Sequence, residues 1–300
     1  MNTYRERVEI GPHVLYLGDC RDVLPILSPV DLVVADPPYS ISVEGSENQS
    51  DAGTRSLDFF ECDRDWGRMT ATVVEALASV AMTATASAYV WCGHRQIGAI
   101  VAHFEKARPM TTRLVAWEKA CPAPAPPWSG WPSGFETCVY AYPEGRVWDL
   151  APGQMPRSNL LRADSFRHGQ PGKVDHPTQK PLAVIEPLIR ASSRRDQTVL
   201  DPFMGSGTTG VACAKLGRKF IGVEIHEPYF RIACRRIADA VAGGAQSSLF
   251  PADVPSDPST ARPGVRDGDE EQPPRVVGPA RGTRVVEGGL FDQQLNGAKA

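Results

Sequence analysis

The sequence predicts an α/β protein organised around a mostly parallel, doubly wound sheet. Two observations carry this prediction. Short apolar runs rich in β-branched and aromatic residues alternate with helical patterns as far as about residue 242. Several of these runs lack the polar alternation of a half-exposed strand, so helices are expected to cover both of their faces. A chain of 300 residues is long enough to bury one large core or two smaller ones.

Seven strands and five helices follow from the pattern, in order along the chain. The strands are predicted over 13–19, 30–38, 87–92, 112–118, 136–142, 198–203 and 219–225. The helices are predicted over 69–82, 95–106, 181–192, 208–216 and 227–241. Pro181 suits the first position of a helix, and Gly217 suits the position just beyond a helix end.

Three segments interrupt this alternation. Residues 40–66 are polar and without periodicity, and we expect a lid there rather than a binding loop or a disordered loop. Residues 121–135, rich in Pro and Trp, and 143–175, which mix arginines with turn residues, are expected to form an insertion between core strands. The last stretch is dense in Pro, Gly, Asp and Arg. The prediction is therefore one folded domain over 1–244 and a disordered tail over 245–300.

Charge and cysteine usage exclude several function classes. A formal net charge of -3 excludes a protein that grips nucleic acid by bulk positive charge, so any polyanion site must be a local patch. The seven cysteines form no C-x-x-C pair and lie near no histidine cluster, which argues against a metal site and a disulfide framework and indicates reduced thiols in a cytoplasm. The most apolar stretch, 73–93, contains Glu75 and several hydroxyl residues, so we expect no membrane segment.

The strongest local signal is the tetrapeptide Asp36-Pro37-Pro38-Tyr39 at the end of an apolar run. Two successive prolines hold Asp36 and Pro37 in a stiff, extended strand end, which fixes the directions of their carbonyls. The carboxylate and a neighbouring carbonyl offer two acceptors for the two hydrogens of one exocyclic amine, and the Tyr39 ring offers a face on which a planar base can stack. The alternative is an ordinary strand end followed by a Pro-Pro turn.

A second signal is the run 198–209, in which a strand enters a turn with Gly205 and Gly207 and then a helix. Glycines there let a ligand approach the backbone, and the helix presents its free N–H groups. Glu224 ends the next predicted strand, where a doubly wound fold places an acid against ribose hydroxyls. The run G-S-G-T-T-G formally completes a dinucleotide fingerprint, so NAD stays open. Asp201 at the strand end suits an ammonium better than a pyrophosphate, which favours S-adenosylmethionine.

The third signal is His176-Pro177-Thr178-Gln179-Lys180-Pro181, directly before a predicted helix. Alone, it also fits a loop leading into a helix, with a solvated lysine. In this order, the three segments resemble the S-adenosylmethionine-dependent amino-methyltransferases of DNA, in particular class β. In that class the catalytic motif comes first, a target-recognition region follows, and the cofactor motif comes last. The resemblance covers about residues 10–242. The order weakens, without removing, the alternative of RNA or glutamine methyltransferases, which usually place the cofactor motif first.

The resemblance implies a Rossmann-like methyltransferase fold with a target-recognition region at about 121–175 and a cofactor motif within 198–225. It implies that Thr178 and Lys180 lie near the methionine end of the cofactor. Asp19 would lie close to the methyl-transfer site, although a turn-capping role fits it equally well. Trp117-Glu118-Lys119 is similar to a strand end of mainly architectural role in the family. The residues implied to line the methionine and adenosine are Asp201, Phe203, Gly205 and Gly207, with Glu224 on the ribose hydroxyls.

For the reaction, the resemblance implies direct methyl transfer to an exocyclic amine, with the tetrapeptide 36–39 as the catalytic motif. Asp-Pro-Pro-Tyr rather than Ser-Pro-Pro-Tyr favours adenine N6, and cytosine N4 is the alternative because both amines present the same pair of hydrogens. Cytosine C5 methylation is disfavoured because it usually needs a Pro-Cys dipeptide, and the sequence has none. A non-catalytic DNA-binding decoy of the same fold is the rival from another class, and intact acids at 36, 201 and 224 argue against it.

The implied partner is double-stranded DNA, whose target base must leave the stack to reach such a site. Stacking on Tyr39 offsets part of the energy of extrusion, and phosphate contacts would supply the rest. Any one basic residue in the predicted insertion is also explained as a solvated surface charge, so the hypothesis concerns the cluster. Its members are Arg146, Arg157, Arg162, Arg167, His168 and Lys173, with Arg55 and Arg64 in the predicted lid.

The pentapeptide Gln246-Ser247-Ser248-Leu249-Phe250 lies just past the last predicted helix. It resembles the Q-x-x-L-F motif by which bacterial replication and repair proteins dock on the sliding clamp. The pentapeptide therefore predicts a tether to replicating DNA. The alternative is that Leu249 and Phe250 pack back onto the domain.

Overall fold

The structure is a computed structural model that describes residues 3–37, 66–120, 131, 133–151, 155–156, 158–166, 172–176 and 178–247. Its strands are β1 (Glu6–Ile10), β2 (His13–Leu17), β3 (Val30–Ala35), β4 (Met82–Cys92), β5 (Thr111–Lys119), β6 (Phe135–Tyr142), β7 (Leu160–Ala163), β8 (Thr198–Asp201) and β9 (Lys219–Glu224). Its α-helices are α1 (Cys20–Val23), α2 (Trp66–Ser79), α3 (Ile97–Ala102), α4 (Leu182–Ser192), α5 (Thr208–Leu216) and α6 (Glu227–Ser247). A 3₁₀ turn, Leu24–Ile26, follows α1, and a π-helical turn, His103–Ala107, follows α3.

The strands that the structure describes form one sheet in the order β1-β2-β9-β8-β3-β4-β6-β5-β7. The five central strands, β2, β9, β8, β3 and β4, are mutually parallel. β1 pairs antiparallel with β2, β6 lies antiparallel between β4 and β5, and β7 pairs parallel with β5. β1 and β6 therefore run against the other described strands. The carboxyl ends of those other strands meet at one edge of the sheet, the carboxyl edge.

Helices cover both faces of the sheet, so strand side chains alternate between two buried clusters. Leu32 and Val34 of β3 pack in the cluster that contains α4, α5 and α6, whereas Val33 and Ala35 pack in the cluster that contains α1, α2 and α3. Burial on both faces explains why β3 has a nearly continuous apolar sequence. The predicted doubly wound α/β fold is confirmed.

All of the predicted strands and helices are present, with shifted boundaries. α2 lies three residues earlier than predicted because Met82 already belongs to β4, where it pairs with Val30. The predicted helix 95–106 divides into α3 and the π-helical turn. Gly217 ends α5 with a left-handed φ of +69°, as predicted. Pro181 is the N-cap of α4, with an extended ψ of 144°, rather than its first helical residue.

Two described strands were not predicted from the sequence. β1 alternates charged and apolar residues at a sheet edge, and β7 lies within 143–175, which was predicted to be an irregular insertion. The four residues of β7 carry too little periodicity to identify a strand, and long-range contacts hold it in place. The Asn159 side chain donates to the Leu114 carbonyl at 2.9 Å, and Trp117 Nε1 donates to the Ala163 carbonyl at 2.9 Å.

The predicted lid, 40–66, lies outside the described residues except for Trp66, which begins α2. The predicted tail, 245–300, lies outside them except for 245–247, which end α6. The described helix therefore continues past the predicted boundary at residue 244.

The sheet changes its winding direction between β3 and β8. From β3 the chain passes through α2 to β4 on one side, and from β8 it passes through α5 to β9 on the other. In open α/β sheets, ligands bind at such a switch point, outside the carboxyl ends of the strands. The topology therefore predicts a ligand site beyond the ends of β3 and β8.

Gly210 lies inside α5 at a close approach to its neighbours. A Cβ at this position would lie 2.4 Å from Ile237 Cδ1 and 2.7 Å from Phe220 Cε1. We expect Gly210→Ala to lower the free energy of unfolding by about 1–3 kcal/mol, because this part of the core is already filled. Urea denaturation measures the change.

The matched control is Gly98→Ala in α3, where nothing lies within 4 Å of an added Cβ. There we expect no loss and a gain of up to about 1 kcal/mol, since alanine favours the helix. Equal stability of the two variants would contradict the packing described for Gly210.

Candidate active site

Three acidic residues stand at the carboxyl edge on adjacent strands. Asp36 directly follows β3, Asp201 ends β8, and Glu224 ends β9. β8 pairs in parallel with both β3 and β9, and neighbouring strands lie about 4.8 Å apart. Burial raises the pKa of Asp201, and the charges of Asp36 and Glu224 add to that rise. The structure therefore brings the predicted catalytic acid next to the predicted cofactor acids.

Asp36 is bound by a buried lysine. Lys180 Nζ donates to Asp36 Oδ1 and to Asp36 Oδ2, at 2.7 Å in each case. Burial raises the pKa of the Asp36 carboxyl above its ordinary value, and Lys180 counteracts part of this rise. The Asp36 side chain remains 25% exposed, against 7% for Lys180, so the carboxylate stays accessible to a further donor. Pro37 is buried, and the predicted catalytic residues Pro38 and Tyr39 lie outside the described residues.

Lys180 also belongs to a longer series of charges, the ion network Asp36–Lys180–Glu136–Lys119. Lys180 Nζ lies 3.1 Å from Glu136 Oε2, and Glu136 Oε1 lies 2.8 Å from Lys119 Nζ. Burial alone would lower the pKa of Lys180, but Asp36 and Glu136 raise it above its ordinary value. The ammonium form of Lys180 is therefore the stable one, and the four charges of the network sum to zero.

Asp201 closes the turn that follows β8. Its Oδ1 accepts the backbone N–H of Phe203 at 3.0 Å, and its Oδ2 accepts the hydroxyl of Thr209 at 2.6 Å. The residue is only 3% exposed, and burial raises its pKa from 3.8 to about 7 despite these two hydrogen bonds. A carboxylate in this setting favours the approach of a cation, because a positive charge would compensate the burial.

The turn between β8 and α5 brings bare backbone to the carboxyl edge. Gly205 and Gly207 have φ values of +52° and +80°, which side chains disfavour. A Cβ on Gly205 would also lie 2.8 Å from His176 Nε2. Glu224 fixes the turn, since its Oε2 accepts the Gly205 N–H at 2.8 Å and its Oε1 accepts the His226 N–H at 2.7 Å.

Gln179 shapes the segment before α4. Its Oε1 accepts the Val174 N–H at 2.9 Å, and its Nε2 donates to the Gly172 carbonyl at 2.9 Å. This clamp fixes the backbone directly before Lys180. Thr178 is exposed. Lys180 is buried, so it is not the solvated lysine of a simple loop. Its ammonium contacts two carboxylates of the protein, Asp36 and Glu136.

Asp19 shows the contacts of a helix cap. Its Oδ1 accepts the Arg21 N–H at 2.9 Å at the start of α1. The Arg21 side chain binds both of its oxygens, at 3.0 Å to Oδ1 and 2.5 Å to Oδ2, and lowers the pKa of Asp19. The capping alternative therefore accounts for these contacts, and a role for Asp19 in substrate binding stays a prediction.

The two predicted DNA-binding arginines that the structure describes, Arg146 and Arg162, do not lie together. Arg162 is in β7, next to the carboxyl edge, with an exposed side chain whose Nε lies 2.7 Å from Glu118 Oε2. Arg146 follows β6, which runs in the opposite direction, so it lies towards the other edge of the sheet. Its guanidinium stacks 4.0 Å over the Tyr142 ring and lies 5.7 Å from the Trp148 ring centre. Arg146 therefore lies away from the three acids and packs against aromatic rings, and a role for it in DNA binding stays a prediction.

The remaining predicted basic residues are less informative. Arg157, Arg167 and His168 lie outside the described residues, as do Arg55 and Arg64 of the predicted lid. Lys173 is partly buried, and its Nζ donates to the carbonyl of His176.

Two side chains near the site were missed by sequence reasoning. Glu136, a partner of Lys180, is a charged residue at the start of a mostly apolar strand, and that position is a signal that could have identified it. Arg236 of α6 donates from Nη1 to the Ser206 carbonyl at 2.5 Å and to Ser206 Oγ at 3.1 Å, and these bonds stabilise the glycine turn. No local sequence pattern indicates the contact between Arg236 and Ser206.

The polar groups at the carboxyl edge fit a cationic nucleoside. Asp201 suits an ammonium, Glu224 suits hydroxyls, and the glycine turn allows close approach to the backbone. The described residues contain no cluster of three or more His, Cys, Asp or Glu that could hold a metal. Among the described helices, none is long and apolar enough to cross a membrane. Fold and site together are those of a Rossmann-like α/β protein in which the predicted catalytic acid ends one strand away from the predicted nucleoside site.

Comparison with known proteins identifies the family within that class. Residues 30–235, more than half of the chain, match the DNA methylase family N6_N4_Mtase. The chain belongs to this family of DNA methyltransferases, whose methyl donor is S-adenosylmethionine.

Individual proteins resemble the chain over most of its length. It is 23% identical over 243 residues to Type II methyltransferase M2.MboI of Moraxella bovis, an alignment that covers 74% of this chain and 86% of that protein. The crystal structure of the M1.HpyAVI–SAM complex has a TM-score of 0.54 at 24% identity, covering 74% of this chain and 98% of that one. The PvuII DNA methyltransferase (cytosine-N4-specific) has a TM-score of 0.57 at 17% identity, covering 78% and 92%. At these identities the two structures show a shared fold.

The raised pKa of Asp201 makes the stability of the unliganded protein depend on pH. In the folded state the pKa is about 7, against 3.8 for an ordinary carboxyl. The folded protein therefore holds a proton that the unfolded chain has released between about pH 4 and pH 7, so this group destabilises the fold progressively as pH rises through that window. We expect Asp201→Asn to gain stability relative to the wild type, on the order of 1–4 kcal/mol between pH 4.5 and pH 7.5. Urea unfolding at the two pH values measures it.

Asp19→Asn is the matched control, because Arg21 lowers the pKa of Asp19 and asparagine keeps the helix cap. This variant should be less stable than the wild type by nearly the same amount at both pH values, because the contribution of a carboxyl with a lowered pKa is already complete above about pH 4. A difference between Asp201→Asn and wild type that is the same at both pH values would count against the buried, proton-binding state of Asp201.

Proposed function

We propose that this chain transfers the methyl group of S-adenosylmethionine to the N6 amine of an adenine extruded from double-stranded DNA. The observation that carries the proposal is the position of Asp36 and Asp201 on adjacent parallel strands whose carboxyl ends meet at one edge. One acid then serves the base and the other serves the cofactor within a single small region. Family membership supplies DNA as the substrate and methyl transfer as the reaction.

Asp36 and the Pro37 carbonyl act on the target amine. The nitrogen is a poor nucleophile because its lone pair is delocalised into the ring. Two acceptors for its two hydrogens draw the nitrogen towards tetrahedral geometry and stabilise the positive charge that develops on it. The cofactor supplies an electrophilic methyl group on a sulfonium, so a C–N bond forms as the C–S bond breaks, and the nitrogen then releases one proton.

Asp201, Glu224 and the glycine turn hold the cofactor in this proposal. Asp201 binds the ammonium of the methionine moiety, and Glu224 binds the ribose hydroxyls. Ile225, directly after Glu224, is 61% exposed, and this apolar surface beside a ribose site supports a contact with the adenine ring of the cofactor. Phe203, Gly205, Gly207 and Thr178 keep the cofactor roles that the resemblance implies.

The DNA side of the site follows from the directions of the strands. β5 ends and β6 begins at the carboxyl edge, and β7 also ends there. The chain between β5 and β6 and the chain after β7 therefore leave the sheet at the same edge as Asp36, whereas the chain after β6 leaves from the other edge. We place target recognition in the first two segments, with Arg162 and Arg167 on phosphates and Tyr39 stacked on the extruded base.

Adenine is preferred over cytosine because the motif is Asp-Pro-Pro-Tyr rather than Ser-Pro-Pro-Tyr. The fold itself accommodates either base, since the cytosine-N4-specific PvuII enzyme shares it. N4-methylcytosine is therefore the second candidate product.

Labelled-methyl transfer to unmethylated duplex DNA, followed by nucleoside mass spectrometry, tests the proposal. We expect labelled N6-methyladenine from the wild type and at least about a 100-fold lower rate from Asp36→Ala, because the amine loses its charged acceptor. Asp239→Ala, which removes an exposed carboxylate from α6, is the matched control and should keep the wild-type rate.

The alternatives give different outcomes in the same experiment. Labelled N4-methylcytosine would show that cytosine rather than adenine is the target base, and the proposed role of Asp36 would stay the same. DNA binding without incorporation of label would support a decoy and overturn the enzymatic proposal.

We also propose that Gln246–Phe250 docks on the bacterial sliding clamp. Gln246 and Ser247 end α6, and the remaining three residues lie outside the described part of the chain. We expect immobilised clamp to retain the wild type and to retain Leu249→Ala/Phe250→Ala about tenfold less, because the motif works by burying two apolar side chains. Leu290→Ala/Phe291→Ala, which changes the similar Gly-Leu-Phe sequence further along the tail, is the control. Equal retention of the two double variants would reject the tether.

A further inference from the structure

The ion network Asp36–Lys180–Glu136–Lys119 joins four segments that are distant in sequence. Asp36 follows β3, Lys180 precedes α4, Glu136 lies at the start of β6, and Lys119 ends β5. Lys180 is 7% exposed and lies 4.9 Å from the centre of the Trp91 ring. An ammonium in this position has little access to solvent, so its hydrogens go to the two carboxylates.

The position of the Lys180 ammonium has two consequences for Asp36. Contact with both carboxylate oxygens fixes the orientation of the carboxylate at the end of β3. Each oxygen has a second lone pair, so the contact leaves room for the hydrogen of an incoming amine. The ammonium also opposes the effect of burial and keeps the acceptor charged.

Glu136 limits how strongly the ammonium acts on Asp36. Because Lys180 Nζ lies 3.1 Å from Glu136 Oε2, its charge is divided between two carboxylates. An ammonium bound to Asp36 alone would satisfy that carboxylate and weaken it as an acceptor for the amine. Lys119, 2.8 Å from the other oxygen of Glu136, compensates the charge of Glu136 in turn.

We propose that Lys180 is a positioning residue that orients Asp36 and keeps it ionised for the target amine, and that Glu136 divides the Lys180 charge so that Asp36 remains a strong acceptor. This inference rests on the proposed function, because it assigns the work of Lys180 to the base side of the site. It replaces the cofactor contact that the resemblance implies for Lys180.

The titratable groups around Asp36 make the direction of each effect predictable. Lys180 faces it from the segment before α4, and Glu136 and Cys138 face it from β6. Asp201 faces it from β8, with Glu224 of β9 beyond, and Lys119 of β5 acts through Glu136. Of these, Lys180 lowers the pKa of Asp36 and Glu136 raises it. Removing the Lys180 charge should therefore raise the pKa of Asp36, and removing the Glu136 charge should lower it.

The test measures single-turnover methyl transfer to duplex DNA as a function of pH, with the cofactor affinity measured separately by calorimetry. If Asp36 must be ionised, the rate falls as pH drops through its pKa. For Lys180→Met we expect this acid limb to move up by about one to three units and the rate at neutral pH to fall about tenfold or more. For Glu136→Gln we expect the limb to move down by about half a unit or more, because the full ammonium charge now acts on Asp36.

Cofactor affinity separates this role from the one it replaces. Both variants should bind S-adenosylmethionine no more weakly than the wild type. If Lys180→Met binds S-adenosylmethionine about tenfold or more weakly and its acid limb does not move, Lys180 contacts the cofactor as the resemblance implies. That result would overturn the positioning role. Lys180→Arg, which keeps the positive charge, should recover most of the acid limb.

Glu186→Gln and Lys215→Met are the matched controls, since these residues form a more exposed pair on α4 and α5, 3.9 Å apart. Neither should move the limb. Lys180→Met leaves Asp36 without its cation and Glu136 with Lys119 as its described cation. If this variant does not fold, Glu136→Gln decides the question alone, because an unmoved or raised acid limb in that variant overturns the proposal. If the wild type transfers methyl groups and the acid limbs of the variants do not move, only the positioning role is rejected. If the wild type transfers no methyl groups, the proposed function and the positioning role are both rejected.

Discussion

Negative charge gathered at the carboxyl edge is the constraint on which the rest of the structure depends. Asp36, Asp201 and Glu224 stand at the ends of adjacent strands, and each is largely removed from water. A buried carboxylate without a partner costs several kcal/mol, so the fold must bring a compensating group to each one. Those groups come from the segment before α4, from the glycine turn and the first residues of α5, and from the backbone directly before α6. The same contacts that compensate the acids therefore determine the shape of the site.

The three acids are compensated in different ways, and the difference matches their proposed roles. Asp36 has a full positive charge in contact with it, whereas the hydrogen-bond donors to Asp201 and Glu224 in the described part of the chain are a hydroxyl and backbone N–H groups. An acid that must accept hydrogen bonds from a neutral amine benefits from a permanent cation that keeps it ionised. An acid that is to bind a cationic ligand works better without one, because the ligand then supplies the missing charge. The pKa of Asp201, raised by burial to about 7, fits a site in which that charge arrives with the ligand.

The sequence predicts the acids of the site but not their compensating partners. β3, β8 and β9 are apolar runs that end in an acid or directly before one, and the carboxyl ends of parallel strands meet, so Asp36, Asp201 and Glu224 could be placed together without a structure. The Lys180 contact with Asp36 spans 144 residues and has no local pattern. β7 was missed because four residues carry no clear period, and its pairing depends on Asn159 and Trp117 contacts with other strands.

The direction of β6 explains both why Glu136 was missed and why Arg146 lies away from the three acids. A run of apolar residues predicts a strand but gives no information about which way it runs in the sheet. Because β6 is antiparallel to β4, its first residues lie at the carboxyl edge and its last residues lie away from it. This reversal brings Glu136 to Lys180 and removes Arg146 to the aromatic ring of Tyr142. A parallel β6 would exchange these positions and leave Lys180 with Asp36 as its acidic partner. The reversed strand therefore contributes directly to the electrostatics of Asp36, the proposed catalytic residue.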